Sequence, residues 1–195
     1  MGLALVLLAA GSSRRFQGNK LLYHFSGKPM YRHLTDRLEE LPASSFEQKI
    51  VVTQYEEIAE ELEKRGFEAV YNYDTELGIS HSIHLALPAL KDSVDAVCFA
   101  VCDQPYLTGE TLLAFLREWR KSGKGMGCLT HQGEFGNPAV FSMKYRDELM
   151  DLTGDVGGRR VIRKHLSDLY LYEVEDGKEL VDIDIRLGGM EDETV

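Results

Sequence analysis

Short apolar runs alternate along the chain with segments in which apolar residues recur at every third or fourth position. Continuous apolar runs are typical of strands buried on both faces of a sheet, and recurrence at helical spacing predicts amphipathic helices. Strands are predicted over residues 3–8, 50–52, 69–71 and 96–101. Helices are predicted over residues 30–41, 55–62, 80–90 and 108–119. Gly66 is predicted to end the second helix in a left-handed conformation.

This alternation predicts an α/β fold with a mostly parallel central sheet that is covered by helices on both faces. The chain has 195 residues, of which 44% are hydrophobic, and this suits one domain. We place the domain at residues 1–187 and a polar tail at residues 188–195. In such folds ligands bind beyond the carboxyl ends of the strands. We therefore expect functional residues in three loops, at 9–20, 72–82 and 102–105.

Charge is unevenly distributed along the chain. The formal net charge is −10, yet the first 37 residues hold six Arg and Lys residues against one Asp, a net charge of +5. The overall negative charge argues against a nucleic-acid partner. The local basic segment suits a small anionic ligand, although a solvated surface position is the more common role for any one of these cations.

The apolar and cysteine content indicates the cellular setting. No apolar run reaches the roughly 18 residues of a membrane span, and the apolar start leads directly into Gly11 and Ser12 without a signal-peptide pattern. Cys98, Cys102 and Cys128 are too few for a disulfide framework and include no CxxC pair. We expect a cytoplasmic protein with reduced thiols and no membrane partner.

A run of small and basic residues, LAAGSSRRFQGNK, occupies residues 8–20. Small residues let the backbone approach a ligand closely, and their N–H groups can bind phosphate oxygens. Arg15 and Lys20 add full positive charges. Because the spacing matches neither the Walker A pattern nor GxGxxG, the segment predicts anion binding in general. An ordinary connecting loop is the alternative.

Asp103 comes two residues after the last predicted strand, at the sheet edge where the loop at 9–20 also lies. A carboxylate there is a candidate ligand for Mg²⁺, which takes one or two carboxylates together with substrate phosphates. The alternative is that Asp103 only caps a helix or forms a turn.

Four weaker features complete the candidates. In the segment that begins at Asn72, Ser80 is expected to cap the third helix, whose free N–H groups would favour an anion. Asp155 is expected to cap a later helix, and residues 136–138 are expected to form a tight turn. Residues 182–184 alternate acidic and apolar side chains, which predicts a short strand with both carboxylates on one face.

Taken together and in this order, these segments resemble the nucleotidyltransferases that activate molybdopterin, and within them the molybdenum cofactor cytidylyltransferase branch. The family pattern LAAGxSxRxGxxK is matched by Leu8, Ala9, Ala10, Gly11, Ser13, Arg15 and Lys20. GxSxS is matched by Gly78, Ser80 and Ser82, CDxP by Cys102, Asp103 and Pro105, GxP by Gly136 and Pro138, and GDxGxR by Gly154, Asp155, Gly157 and Arg159. Two departures are Gln17, where the family has glycine, and Ile185, where its closing DxDTPED segment has threonine.

The resemblance implies a Rossmann-like nucleotide-diphospho-sugar transferase fold and a reaction that joins CTP to the phosphate of the molybdenum–molybdopterin cofactor, releasing pyrophosphate. It implies Mg²⁺ as cofactor, held by Asp103 and Asp184, with Arg15 and Lys20 as catalytic cations, and a transient partner among the molybdenum hydroxylases. The implied nucleotide-binding residues are Leu8, Ala9, Ala10, Gly11, Ser13, Arg15, Lys20, Asn72, Gly78, Ser80, Ser82 and Asp103.

Two other readings stay open at this point. One is nucleotidyl transfer to a sugar or polyol phosphate, for which the same loop and Asp103 would serve. The other is a non-catalytic cofactor carrier, which would keep the nucleotide loop and lose the metal ligands. The choice of CTP rests on Ala10, because the guanylyl branch usually has glycine at this place in the motif.

Overall fold

A seven-stranded sheet forms the centre of the computed structural model, which describes residues 2–11 and 19–183 of the chain. The described strands are β1 (Gly2–Ala9), β2 (His24–Phe25), β3 (Lys28–Pro29), β4 (Gln48–Thr53), β5 (Glu68–Tyr71), β6 (Val94–Val101), β7 (Met126–His131), β8 (Glu134–Ser142) and β9 (Leu169–Glu173). Strands β2 and β3 form a separate hairpin, and the other seven follow the order β5-β4-β1-β6-β8-β7-β9. Only β8 runs antiparallel to its neighbours within this sheet, so the predicted mostly parallel sheet is confirmed.

Helices cover both faces of the sheet. Among the described residues they are α1 (Met30–Glu39), α2 (Glu56–Lys64), α3 (Ile79–Ala86), α4 (Gly109–Ser122), α5 (Arg146–Met150) and α6 (Arg159–Lys164). Leu5 and Leu7 of β1 pack in one core with α1, α2 and α4, and Val6 packs in the other with α3, α5 and α6. Because β1 is buried on both faces, every residue from 3 to 7 is apolar; each such leucine contributes about 1.5–3 kcal/mol by burial.

The helix ends follow local chemistry. Gly66 has a φ of +78° and, as predicted, ends α2: its N–H bonds to the Glu63 carbonyl and that of Phe67 to the Leu62 carbonyl, a Schellman motif. Helix α3 ends at Ala86, earlier than predicted, and continues as a 3₁₀ turn, Leu87–Ala89, because Pro88 lacks an N–H and crowds the preceding turn.

Three local predictions in the second half of the chain are wrong. Residues 136–138 lie within β8 rather than in a turn; the chain reverses at Gln132 and Gly133, whose φ values of 51° and 85° suit a two-residue hairpin loop. Asp155 caps no helix, because α6 begins four residues later with Gly158 at its N-cap. Residues 181–183 form no strand, and Asp184 lies outside the described residues.

Within the described part of the chain, no helix combines the length and the apolar composition needed to cross a bilayer.

Candidate active site

An ion pair joins the last residue of the loop at 9–20 to the loop that follows β6. The Nζ of Lys20 lies 2.6 Å from Oδ2 of Asp103, and both side chains are largely buried, at 11% and 22% exposure. The strands that precede them, β1 and β6, are parallel neighbours, so their carboxyl ends meet at one edge. Oδ1 of Asp103 is buried and has no hydrogen-bond partner among the described residues. A hard carboxylate oxygen of this kind fits a Mg²⁺ ion, which needs only one or two protein carboxylates.

The start of the loop at residues 9–20 is held by side chains at the end of β4 and just after it. Thr53 Oγ1 donates to the Ala9 carbonyl at 3.0 Å, and Gln54 Nε2 donates to the Ala10 carbonyl at 2.8 Å. The Tyr55 hydroxyl donates to the Gly11 carbonyl at 3.1 Å. With its carbonyls engaged from this side, the backbone from residue 9 to 11 is fixed at the sheet edge. Sequence reasoning missed these three residues, because no motif marks Thr-Gln-Tyr after a strand.

Two of the predicted loop residues, Ser13 and Arg15, lie outside the described residues, so their place at this edge stays a prediction.

The loop at 72–82 approaches the carboxyl-terminal edge of the sheet from the side of β5. Asn72 follows β5 and is buried, and its Nδ2 donates to Ser82 Oγ at 2.9 Å. Ser80 does not cap α3: the N-cap is Gly78, without a side-chain cap, and Ser80 is buried in the first turn. The expectation failed because Gly78, at a φ of +81°, ends the preceding 3₁₀ turn and starts the helix two residues earlier.

Gly78 also brings two of the sequence motifs into contact. A Cβ on Gly78 would lie 2.6 Å from the backbone nitrogen of Asp155, so only glycine lets this backbone approach. The Ser80 N–H donates to the Gly154 carbonyl at 3.3 Å. The GxSxS and GDxGxR segments, more than 70 residues apart in the sequence, therefore form one structural unit.

A mostly apolar cleft opens beside this unit. It lies between the carboxyl ends of β1 and β6, the start of α3 and the start of α6, with Leu8 and Val101 in its wall. Its polar lining groups include Asn137 and Arg159, and Arg159 donates to the carbonyl of Phe135. The GxP and GDxGxR motifs thus line the same cleft.

The loop after Asp103 is fixed from both sides. Arg37 Nη1 donates to the carbonyls of Pro105 and Leu107 at 2.6 and 2.7 Å. The Ile183 N–H donates to the Asp103 carbonyl at 3.1 Å, so the end of the described chain reaches the metal-ligand candidate. Asp184 follows directly in the sequence and lies outside the described residues.

Two observations limit the chemistry of this edge. Burial, with a smaller contribution from Asp103, raises the pKa of Cys102 well above its ordinary range, so this thiol is neutral and is not a nucleophile. Across residues 2–11 and 19–183, no three His, Cys, Asp or Glu side chains gather in a way that could hold a metal by themselves. Among the described residues Asp103 is therefore the candidate ligand, and water or substrate phosphates would fill the other positions of a bound Mg²⁺.

A buried cation–carboxylate pair, a small-residue loop with fixed carbonyls and the ends of parallel strands form an edge that suits a ligand with phosphate groups. The family model for the MobA-like NTP transferase domain matches residues 5–169, and the chain belongs to this family of nucleotidyltransferases. A probable molybdenum cofactor guanylyltransferase from Thermococcus gammatolerans is 31% identical over 163 residues, which cover 81% of this chain and 80% of that one. A bifunctional protein GlmU from Heliobacterium modesticaldum is 33% identical, but the match spans only 32% of its length.

Solved structures agree on the fold. A homologue of Mycobacterium tuberculosis Rv0371c from Mycobacterium sp. strain JC1 superposes with a TM-score of 0.78 at 24% identity, covering 94% of this chain and 90% of that one. A manganese complex of Rv0371c from M. tuberculosis H37Rv gives a TM-score of 0.70 at 19% identity, covering 89% of both chains. These neighbours place the sheet and helices in the nucleotide-diphospho-sugar transferase fold.

Proposed function

We propose that this nucleotidyltransferase joins CTP to the terminal phosphate of the molybdenum–molybdopterin cofactor and releases pyrophosphate, in the cytoplasm, for delivery to a molybdenum hydroxylase. The observation that carries transfer to a phosphate is the Lys20–Asp103 pair at 2.6 Å, with the orphaned Oδ1 beside it. The likeness to the probable molybdenum cofactor guanylyltransferase supports the acceptor.

The reaction needs no side-chain base. An oxygen of the acceptor phosphate forms a bond to the α-phosphorus of CTP, and the bond from that phosphorus to the bridging oxygen breaks. Pyrophosphate leaves with the electron pair of the broken bond. Because the attacking phosphate is already anionic, the protein has to bring two anions together and stabilise the charge of the leaving group.

The residues of the site divide this work. Asp103 would hold Mg²⁺ through its free oxygen, with Asp184 as the second carboxylate, and the ion would neutralise charge on the phosphates. Lys20 and Arg15 would neutralise the triphosphate, and the N–H groups of the loop 8–13 would bind its oxygens. The second loop, with Asn72, Gly78, Ser80 and Ser82, would complete the nucleotide site.

The acceptor would occupy the cleft beside α6. Its apolar wall suits a flat ring system, and Arg159 supplies a cation at its rim. Because Leu8 lies in the wall of this cleft and also belongs to the nucleotide loop, acceptor and triphosphate would meet at the end of β1.

The proposed selection of CTP over GTP rests on Ala10. Ala10 is buried, and Gln54 and Tyr55 bond to the loop carbonyls beside it. The methyl group of Ala10 at a base edge would exclude a purine sterically, and the resemblance to the cytidylyl branch supports this choice. Guanylyl transfer is the second candidate, because the T. gammatolerans relative is named for it.

A panel of CTP, GTP, UTP and ATP with molybdopterin, methylerythritol phosphate or a sugar 1-phosphate, scored by pyrophosphate release with Mg²⁺, tests the proposal. We expect the highest kcat/KM for CTP with the molybdopterin cofactor. A higher value for GTP would move the protein to the guanylyl branch. Pyrophosphate release with a sugar or polyol phosphate, but not with molybdopterin, would show that the acceptor is a sugar or polyol phosphate. No pyrophosphate release with any pair of substrates would favour a non-catalytic cofactor carrier.

A further inference from the structure

The last described segment of the chain runs back along the residues that follow Asp103. Glu179 contacts Thr108 and Thr111, the Leu180 carbonyl accepts from Gln104 Nε2 at 3.3 Å, and the Ile183 N–H bonds to the Asp103 carbonyl. The order of these contacts is antiparallel, so the farther the segment runs the closer it comes to Asp103. We call residues 177–183 the strap.

Within the strap, the Glu179 carboxylate accepts three hydrogen bonds. Its Oε2 accepts from the backbone N–H of Thr108 at 2.9 Å and from the hydroxyl of the same residue at 3.1 Å. Its Oε1 accepts from the Thr111 hydroxyl at 2.9 Å. Since Thr108 is the N-cap of α4, this carboxylate also lies at the positive end of a 14-residue helix. Charge-assisted bonds of this kind are stronger than neutral ones.

The opposite side of the strap rests on β8. Leu180 packs against Gly136, where any added Cβ would come within 2.8 Å of the leucine. The strap is therefore held between α4 and β8 and has few positions open to it. Two acidic residues, Asp182 and Asp184, flank Ile183 in the sequence, and Ile183 is bonded to the backbone of Asp103.

We propose that Glu179 is a positioning residue for the metal site: by fixing the strap on α4, it keeps Ile183 bonded to the backbone of Asp103 and so holds the candidate metal ligand in place. This inference rests on the proposed function, because it assumes that Asp103 binds the metal. Without Glu179 the strap loses three hydrogen bonds, and the contact from Ile183 to the backbone of Asp103 has to be ordered when the metal binds. The expected consequence is weaker metal binding, with the reaction unchanged once the metal is bound.

Binding of Mn²⁺ alone, followed by electron paramagnetic resonance without substrates, tests this directly. Glu179→Ala is expected to raise the Kd for Mn²⁺ about tenfold, and Glu179→Gln, which keeps the size and loses the charge, by a smaller factor. With substrates, the Mg²⁺ concentration for half-maximal rate should rise similarly, while kcat at saturating Mg²⁺ recovers. A purely structural role would lower the melting temperature without moving the Mg²⁺ requirement.

Glu110→Gln is the matched control. Glu110 is exposed in the first turn of the same helix, so its replacement removes one carboxylate near the same helix end and leaves the strap intact. Unchanged Mn²⁺ binding in both Glu179 variants, with binding lost in Asp103→Asn, would overturn the role of Glu179 and leave the proposed function standing. Unchanged binding in Asp103→Asn as well would remove the metal site and both proposals.

Discussion

Lys20 Nζ and Asp103 Oδ2 lie 2.6 Å apart although 83 residues separate them in the sequence. The two residues follow β1 and β6, which are adjacent parallel strands, and the sheet therefore brings their loops together. Neither residue is more than about a fifth exposed, so the charges attract each other more strongly than a surface pair does. Each residue consequently depends on the other, and the removal of either one should affect both binding and stability.

Asp103→Asn should leave a folded protein that has lost at least about 100-fold in kcat at saturating CTP, because metal ions supply several kcal/mol of charge stabilisation in such reactions. Asparagine keeps the size and the turn preference of aspartate and removes only the charge. Pyrophosphate release measures the turnover of the variant, and circular dichroism shows whether it is folded. Asp92→Asn, at an exposed residue before β6, is the control and should behave as the wild type. Near-wild-type turnover in folded Asp103→Asn would show that the residue only forms a turn.

Lys20→Ala should weaken CTP binding by about 1.5–3 kcal/mol, or roughly 10- to 150-fold in Kd, through loss of a charge-assisted contact. Calorimetric titration with CTP measures this. The same change in Lys28, whose Nζ pairs with Asp36 2.6 Å away on the surface of α1, should leave the affinity unaltered. Equal CTP affinity in Lys20→Ala and the wild type would refute a phosphate role for Lys20.

Gly78→Ala should cost about 3 kcal/mol of unfolding free energy and most of the activity. The substitution adds the strain of a positive φ to a clash with the backbone at Gly154 and Asp155. Gly133→Ala shares the positive φ but meets nothing within 4 Å, so it should cost only about 1 kcal/mol and leave the kinetics intact. Urea denaturation of both variants separates the strain of the positive φ from the backbone clash. Equal losses of unfolding free energy in the two variants would refute a clash at Gly78.

Asp168→Asn should change the pH dependence of stability. Hydrogen bonds from Lys144 and Tyr145 lower the pKa of Asp168 from its ordinary 3.8 to about 2. A carboxylate with a lowered folded pKa stabilises the fold fully above about pH 4, and this contribution is lost as the pH falls towards 2. The variant should be less stable than the wild type by about 1 kcal/mol at pH 7, since Lys144 is partly exposed, and the gap should close between pH 4 and pH 2. A gap that stays constant over that range in thermal melts would contradict this.

The sequence predicted the framework of the fold because that framework depends on local patterns. The four predicted strands are present, and three of them, β1, β4 and β6, are largely buried, whereas β5 is a partly exposed edge strand. The end of α2 was predicted because Gly66 is the residue best able to adopt a left-handed conformation. The position of Asp103 at the sheet edge was also predicted, since a polar residue after a buried strand lies where that strand ends, and its role as a metal ligand stays a prediction.

Local polar chemistry was predicted less well. Ser80 and Asp155 have the composition of helix caps, yet Gly78 and Gly158 start those helices. The reason is that each capping preference is worth only about 1 kcal/mol, which tertiary packing overrides. Here the close contact between Gly78 and the Gly154–Asp155 backbone decided where both segments lie.

The sequence by itself therefore determined four strands of the central sheet, the helices that follow them and the types of residue that can bind phosphate and metal; β7, β8 and β9 were not predicted. Only the tertiary structure decided which of these residues meet: Lys20 with Asp103, Thr53 with Ala9, and Glu179 with Thr108. These pairs depend on strand order and on the path of the strap, which arise from burial summed over the whole sheet. A local pattern of residues carries the preference of each segment for a conformation, but not the partner that the fold places against it.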